Sequence, residues 1–171
     1  MKTAYFAGGC FWCITPVYKI QKGVVAVTAG YQGGDEVDPT YEQVKHQQTH
    51  HRETIKVDYD PERISFGTLL DIFLLNIDPF DAGGQFIDRG ASYTAAVYYN
   101  DEDERRVTLE KLAALEQQSG KKTAVAVEPA KPFYPAEEYH QDYYLKNPEA
   151  FERELRESGR KNPSADRVLR S

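Results

Sequence analysis

Apolar residues recur along the first half of the chain at spacings that alternate between strand and helix. Ile55, Val57 and Tyr59 fall at every second position, which predicts a half-buried strand. Residues 24–31, VVAVTAGY, are almost continuously apolar, which predicts a buried central strand. The predicted elements, in chain order, are strand Thr3–Ala7, helix Cys10–Ile20, strand Val24–Tyr31, strand Glu53–Tyr59 and helix Ser65–Asn76.

The second half continues the alternation after a long polar loop. Residues 78–92 are rich in Gly and Asp, and connections of this length inside a domain are commonly functional. The elements predicted after the loop are strand Ala95–Tyr99, a long helix capped by Asn100 and closed by Gly120, and strand Ala124–Glu128. We therefore predict one α/β domain at residues 1–148, followed by a charged C-terminal tail or peripheral helix at residues 149–171.

Charge and composition narrow the expected partners. The 171 residues carry a formal net charge of −6, and 40% of them are hydrophobic. The sequence has no basic stripe, so no nucleic acid is expected as a partner. The first residues, MKTAYFAGG, lack an apolar run long enough for a signal peptide or a membrane span. We therefore expect a cytoplasmic protein that binds no membrane, in a compartment where structural disulfides are rare.

Both cysteines of the chain lie in one short motif, GGCFWC at residues 8–13. If the two glycines form the turn into a helix, Cys10 lies at the helix N-terminus, where backbone amides favour a thiolate and lower the pKa. Cys13 follows one turn later on the same face, close enough for a disulfide after modest relaxation. The motif therefore predicts a reactive pair in which one thiol attacks and the other resolves.

Other interpretations of the two cysteines stay open on these residues alone. The thiols can be simple buried hydrophobic side chains. They can also join His46, His50 and His51 in a Cys2His2 zinc site, although the spacing differs from that of known zinc modules. The Cys-x-x-Cys spacing by itself most favours a thioredoxin-like disulfide oxidoreductase. Phe11 and Trp12 favour a different substrate, because aromatic rings beside a nucleophile suit a thioether or sulfoxide methyl group.

The GGCFWC motif resembles the signature of the A-type peptide methionine sulfoxide reductases, in the subgroup that carries Cys-Phe-Trp-Cys. Further blocks match the family in order and spacing, namely VTAGYQGG, DPTYEQV, THHRETIKVDYDP, IDPFDAGGQFIDRGASY and KPFYPAEEYHQDYYLKNP. The resemblance extends from about Thr3 to Pro148. It implies an α+β fold, a two-layer ferredoxin-like sandwich whose mixed β-sheet is flanked by helices.

The resemblance also implies a reaction, which is reduction of the S-epimer of methionine sulfoxide, free or in proteins, as repair of oxidative damage. Cys10 matches the nucleophile, which becomes a sulfenic acid, and Glu53 matches the acid that acts on the sulfoxide oxygen. Cys13 then condenses with the sulfenic acid to a disulfide, which thioredoxin reduces. No cofactor and no metal are expected, and the chain is expected to be a monomer.

Six positions are expected to contact the substrate. The resemblance assigns this role to Phe11, Trp12, Tyr41, Asp81, Phe86 and Tyr93. Phe11 and Trp12 match a pocket for the substrate methyl group, and Tyr41 matches a donor to the sulfoxide oxygen. Phe86 stands where many members have a second tyrosine, and Tyr93 is the candidate to replace that donor.

Two residues beside Glu53 depart from the family pattern, because the family's TGHAE block reads THHRE in this chain. His50 and Arg52 replace small residues. Their positive charge is predicted to lower the pKa of Glu53 and to weaken its role as an acid. The C-terminal block has no cysteine, so Cys13 is the only candidate for an intramolecular resolving thiol.

Overall fold

Eight strands and six helices make up residues 1–157, the part of the chain that the computed structural model describes. The strands are β1 (Lys2–Ala7), β2 (Val24–Gln32), β3 (Arg52–Tyr59), β4 (Gly84–Gln85), β5 (Asp88–Arg89), β6 (Ala96–Tyr99), β7 (Ala126–Pro129) and β8 (Tyr134–Pro135). The helices are α1 (Phe11–Lys19), α2 (Tyr41–Lys45), α3 (Phe66–Leu75), α4 (Glu102–Ser119), α5 (Tyr143–Lys146) and α6 (Pro148–Glu157). Short 3₁₀ turns at Ala91–Tyr93 and Glu138–His140 precede β6 and α5.

Six of the strands form one sheet in the order β7-β6-β1-β3-β2-β8, and β4 pairs with β5 in a separate hairpin. Neighbouring strands of the sheet run antiparallel, except that β6 and β7 are parallel. Within the sheet, the order β6-β1-β3-β2 with α1 and α3 as crossovers is that of a ferredoxin-like fold. The expected α+β architecture with a mixed sheet is confirmed.

One face of the sheet packs against α1 and α3 to form the main hydrophobic core. Phe6 of β1 is fully buried, with its ring 5.1 Å from that of Phe73 and 5.5 Å from that of Tyr18. Strand β3 contributes Ile55 and Val57 from the face that the alternating pattern predicts. The core thus fixes α1 relative to β3, and both of these elements carry site residues.

Strand β2 is not the buried central strand that its apolar sequence predicts. It lies between β3 and the two-residue strand β8, which pairs only with Gly30 and Tyr31. Val25, in the first half of β2, is 60% exposed. The prediction was correct about the strand and wrong about its place, because β-branched residues favour strands both inside a sheet and near its edge.

Asp101, rather than the predicted Asn100, caps the long helix α4. The Asp101 carboxylate accepts a hydrogen bond from the Glu104 amide at 2.8 Å. The Asn100 amide donates in turn to the Glu104 side chain at 3.0 Å. Asn and Asp are nearly equal in cap preference, so sequence alone does not separate the two positions. Gly120 ends the helix with a φ of 71°, as predicted.

The chain after Pro148 continues as helix α6 up to Glu157, and residues 158–171 lie outside the described part. The division into a catalytic part, residues 1–148, and a C-terminal segment, residues 149–171, stays a prediction. Over residues 1–157, no helix combines the length and the apolar character that crossing a membrane requires.

Phe73→Ala and Leu75→Ala form a matched pair on α3, because Phe73 is fully buried whereas Leu75 is 57% exposed. Removing the Phe73 ring leaves a cavity beside Phe6, so we expect the free energy of unfolding to fall by about 3–5 kcal/mol. Leu75→Ala should change it by about 0.5 kcal/mol or less. Urea denaturation followed by circular dichroism measures both values. Equal losses in the two variants would contradict this packing of α3.

Candidate active site

The turn from β1 into α1 brings Cys10 and Cys13 together. Gly9 has a φ of 87°, which residues with a side chain rarely adopt, and a Cβ atom on Gly8 would lie 2.9 Å from three core side chains. Cys10 is the N-cap of α1, and its carbonyl accepts a hydrogen bond from the Cys13 amide at 3.1 Å. The two cysteines are not joined by a disulfide. The predicted pair therefore lies at the helix start, held there by two glycines that no larger residue can replace without strain.

Glu53 lies on the face of β3 that packs into the core, and only 2% of it is exposed. Its Oε1 atom accepts a hydrogen bond from the Phe11 amide at 3.2 Å, and the Tyr93 hydroxyl donates to the same carboxyl. Burial raises the pKa of Glu53 to about 8, with the charges of Asp88 and Cys13 adding to the effect and the two hydrogen bonds opposing it. Glu53 therefore keeps a proton at neutral pH, which is the state that a general acid requires.

The pKa of Cys10 is raised, which contradicts the lowering predicted from its place at a helix N-terminus. The largest cause is a hydrogen bond between the Cys10 and Cys13 thiols, followed by burial and by the negative charges of Cys13, Glu53 and Asp88. The first amide of α1, that of Phe11, donates to Glu53 and not to the thiol. The helix N-terminus thus acts on the carboxyl, and the resting Cys10 thiol keeps its proton.

The predicted effect of Arg52 and His50 on Glu53 is also wrong. Successive residues of a strand face opposite sides of the sheet, so Arg52 points away from Glu53. Its guanidinium donates to Glu128 Oε2 at 2.8 Å and to the Tyr98 hydroxyl at 2.9 Å. The His50 side chain is 92% exposed and pairs with a carboxylate in the loop before α2. Burial therefore decides the pKa of Glu53, despite two basic neighbours in the sequence.

An aromatic cluster adjoins the thiols and contains Phe11, Trp12, Tyr41, His140 and Tyr143. The Trp12 indole N–H donates to His140 Nδ1 at 3.1 Å, and the His140 ring is 4.1 Å from that of Tyr41. Tyr143 stacks on Trp12 with ring centroids 4.0 Å apart. Burial lowers the pKa of His140, so its neutral ring accepts the indole proton. Three predicted substrate contacts are thus gathered around a histidine that sequence reasoning missed, although it lies in the last matching block.

Tyr93 reaches the site from the 3₁₀ turn before β6. Its hydroxyl donates to Glu53, and its own pKa is raised by burial and by the charges of Glu53, Tyr41 and Cys10. These side chains therefore lie close together. Phe86 is half-buried at the tip of the β4–β5 hairpin, with a φ of 56°. Tyr93 thus brings to the acid the second tyrosine hydroxyl that Phe86 lacks.

The loop between α3 and β6 places Asp81 and Asp88 in different surroundings. Asp81 binds Arg89 through both carboxylate oxygens, at 2.6 and 2.8 Å, and this ion pair lowers the pKa of Asp81 to about 2. The charge of Asp88 raises the pKa of both Cys10 and Glu53, so Asp88 lies close to them. Sequence reasoning chose Asp81 from this loop and missed Asp88, because the loop sequence shows no hydrophobic period from which the direction of a side chain can be inferred.

The C-terminal segment covers the second thiol. Cys13 is 4% exposed and packs against Phe151 of α6, which is 7% exposed. Cys10 is only half-buried, so the predicted nucleophile is the more accessible of the two thiols. Sequence reasoning missed this cover because Phe151 lies in a segment that is otherwise charged.

The three histidines of the alternative zinc site make other contacts. His46 and His50 each pair with a carboxylate, and His51 accepts a hydrogen bond from the Gly34 amide at 3.2 Å. Among residues 1–157, no group of three or more His, Cys, Asp or Glu side chains is arranged to hold a metal ion.

Comparison with known proteins bears on the chemistry of this site. A family model described as peptide methionine sulfoxide reductase matches residues 2–168. The chain belongs to the peptide methionine sulfoxide reductase family. The peptide methionine sulfoxide reductase MsrA of Ligilactobacillus salivarius is 46% identical over 151 residues, which cover 87% of this chain and 88% of that protein. The predicted family and the predicted class of enzyme, a thiol-dependent oxidoreductase, are confirmed.

Two solved structures of a yeast protein share the fold. Mxr1 from Saccharomyces cerevisiae in reduced form has a TM-score of 0.82 and 31% sequence identity, over 86% of this chain and 86% of that one. Mxr1 in complex with Trx2 has a TM-score of 0.57 and 23% identity, over 83% of this chain and 84% of that one. The second likeness shows the fold alone.

Glu53→Gln should change how the stability of this reductase depends on pH. The pKa of Glu53 is about 8 in the folded protein against 4.5 for a free side chain, so unfolding releases a proton between these values. The stability of the parent protein should therefore fall as the pH rises through this range. Gln keeps the shape without the titration, so the variant should exceed the parent by about 2–4 kcal/mol at about pH 9.

Chemical denaturation at about pH 5 and about pH 9 measures this effect. Glu62→Gln, which changes an exposed carboxyl, is the matched control and should keep the slope of the parent. The same slope in Glu53→Gln and in the parent would contradict the raised pKa.

Proposed function

We propose that this chain reduces the S-epimer of methionine sulfoxide, free or in proteins, to methionine, with Cys10 as the nucleophile and Glu53 as the acid. The observation that carries the proposal is the buried, protonated carboxyl of Glu53, which accepts a hydrogen bond from the amide of Phe11, next to Cys10. A sulfoxide oxygen is a poor leaving group until it gains a proton or strong hydrogen bonds. A nucleophile beside an acid is therefore the minimum that the reaction requires.

The first step moves oxygen from the substrate to Cys10. The Cys10 sulfur attacks the sulfoxide sulfur while Glu53 protonates the oxygen, and a bond forms between the two sulfur atoms. That bond and the S–O bond of the substrate then break as the oxygen bonds to the Cys10 sulfur, which leaves methionine and a sulfenic acid on Cys10. Cys10 loses two electrons, the substrate sulfur gains them, and the proton of the Cys10 thiol replaces the one that Glu53 gave. Tyr41 supplies a further hydroxyl donor to the oxygen, while the Tyr93 hydroxyl donates to Glu53.

The second step restores the thiols. The Cys13 sulfur attacks the Cys10 sulfenic acid, a disulfide forms, and water leaves. A thioredoxin-type dithiol then reduces the disulfide by exchange and is itself oxidised. The complex of Mxr1 with Trx2 supports a reductant of this kind for a protein of this fold.

The aromatic cluster supplies the surface for the substrate methyl group. The half-buried Trp12 forms it, with the Phe11 ring, which is 1% exposed, packed beside it, and His140 holds the Trp12 indole through the hydrogen bond at 3.1 Å. A sulfur atom and its methyl group contact aromatic rings favourably. The role expected of Asp81 fits Asp88 better, because the Asp88 charge acts on the thiol and on the acid.

The proposed setting follows from the chemistry. A disulfide that must be reduced in every cycle requires a reducing compartment, so we place the reaction in the cytoplasm. All the side chains proposed for the reaction come from one chain, so a monomer is sufficient for it.

Cys13→Ser and Cys10→Ser should separate the two thiol roles. Cys13→Ser keeps the nucleophile, so it should release about one methionine per protein and stop as a sulfenic acid. Cys10→Ser should release none. The amount of methionine after rapid mixing and the capture of the sulfenic acid by dimedone measure both outcomes. Repeated turnover of the Cys13→Ser protein with thioredoxin would remove Cys13 from the cycle.

Turnover of the two separated sulfoxide epimers, with dithiothreitol as reductant, tests the function itself. Fixed aromatic and hydroxyl groups hold the methyl group and the oxygen, so only one epimer presents its sulfur to Cys10. We expect the S-epimer to be consumed and the R-epimer to persist, measured by chiral chromatography. Equal rates for both epimers, or reduction of insulin disulfides without sulfoxide turnover, would overturn the proposal.

A further inference from the structure

The segment that carries Tyr93 is short and lies between longer elements. It consists of the 3₁₀ turn Ala91–Tyr93 and Thr94, and we refer to residues 91–94 as the Tyr93 turn. Two backbone hydrogen bonds form it. The Tyr93 amide donates to the carbonyl of the preceding Gly90 at 3.0 Å, and the Thr94 amide donates to the Ala91 carbonyl at 3.2 Å. A turn with so few bonds of its own needs outside contacts to hold a hydroxyl at a fixed place.

Gln47 holds the Tyr93 turn from one side. Its Oε1 atom accepts the Ser92 amide proton at 2.9 Å, and its Nε2 atom donates to the Ser92 hydroxyl at 2.8 Å. Ser92 is 1% exposed, so these bonds are shielded at one end. Gln47 has a φ of 61°, an unfavourable backbone conformation for a residue with a side chain, and it follows directly on the end of α2. The helix that begins with Tyr41 is thereby tied to the turn that carries Tyr93.

Arg52 holds the Tyr93 turn from the other side. Its Nε atom donates to the Thr94 hydroxyl at 2.8 Å, and that hydroxyl donates to the Ala91 carbonyl at 2.7 Å. The guanidinium is held in turn by Tyr98 and Glu128. Arg52 directly precedes Glu53 on β3, so one short stretch of strand carries the acid on one face and anchors its hydroxyl partner from the other.

We propose that Gln47 and Arg52 are positioning residues, which together brace the Tyr93 turn so that the Tyr93 hydroxyl stays in contact with Glu53. The proposal rests on the function proposed above and deepens it. Neither residue touches the thiols or the acid, and both act through Tyr93. Arg52, which directly precedes Glu53, therefore influences the acid by positioning the Tyr93 hydroxyl and not through its own charge.

Gln47→Gly, Arg52→Ala and Tyr93→Phe test the brace in a double-mutant cycle. Gly suits the φ of residue 47, so the first variant removes the carboxamide without adding backbone strain. We expect Gln47→Gly and Arg52→Ala each to slow single-turnover reduction about tenfold, since small misplacements of a site group cost this much or more. In the Tyr93→Phe protein the same changes should alter the rate less than about twofold. Arg52→Lys should recover part of the rate, and Gln48→Ala, which changes an exposed neighbour, should keep the parent rate.

The titration of the Glu53 carboxyl, followed by ¹³C NMR, gives a readout that does not depend on turnover. The groups that act on Glu53 are Asp88, Cys13, the Phe11 amide and the Tyr93 hydroxyl, and the hydroxyl lowers the pKa. We expect Tyr93→Phe, Gln47→Gly and Arg52→Ala each to raise the titration midpoint of Glu53. In the Tyr93→Phe protein, adding Gln47→Gly or Arg52→Ala should not raise the midpoint further. If the two changes shift the midpoint equally in the parent and in the Tyr93→Phe protein, or do not shift it at all, the proposal that Gln47 and Arg52 brace the Tyr93 turn is wrong. A parent protein without sulfoxide turnover would overturn the proposed function instead, and the titration would still decide the brace.

Discussion

The hydrogen bond between the Phe11 amide and the Glu53 carboxyl, 3.2 Å long, joins the start of α1 to the interior of the sheet. Helix α1 connects β1 to β2, and β3 lies between these two strands in the sheet. The hydrogen bond therefore ties the first crossover helix of the fold to the strand that it passes over. Cys10 immediately precedes Phe11. The contact therefore sets both the packing of the crossover and the separation of the thiol from the acid, which makes the site inseparable from the core.

Burial and a hydrogen bond between the thiols give this site a resting state in which the groups hold their protons. The core that packs around Phe11 removes water from Glu53 and raises its pKa, and the pKa of Cys10 is raised first by its hydrogen bond to Cys13 and then by burial. A protonated thiol is a poor nucleophile and a poor target for oxidants. In the reaction proposed above, the pair therefore stays unreactive until the sulfoxide oxygen reaches Glu53.

The order of strands and helices and the turn into α1 could be predicted from sequence because they depend on local patterns, whereas the ferredoxin-like fold and the role proposed for Glu53 came from the resemblance to the family. Alternation along residues 53–59 puts Glu53 on the face that the core buries, and two glycines before a Cys-x-x-Cys spacing specify a strand-to-helix turn. The pKa of Cys10 could not be predicted, because the amide expected to favour its thiolate is taken by a carboxyl 42 residues away. The effect of Arg52 on Glu53 was also predicted wrongly, because the two residues are adjacent in the sequence but their side chains lie on opposite faces of the sheet.

Trp12 is the only tryptophan of the chain, and its indole lies between His140 and Tyr143, two residues of the C-terminal part. Indole fluorescence responds to stacking and to the partner of its N–H group. The tryptophan emission of the native protein thus comes from the candidate active site alone, without labels or added dyes. A change in how His140 and Tyr143 pack on Trp12 therefore changes the emission of a single indole.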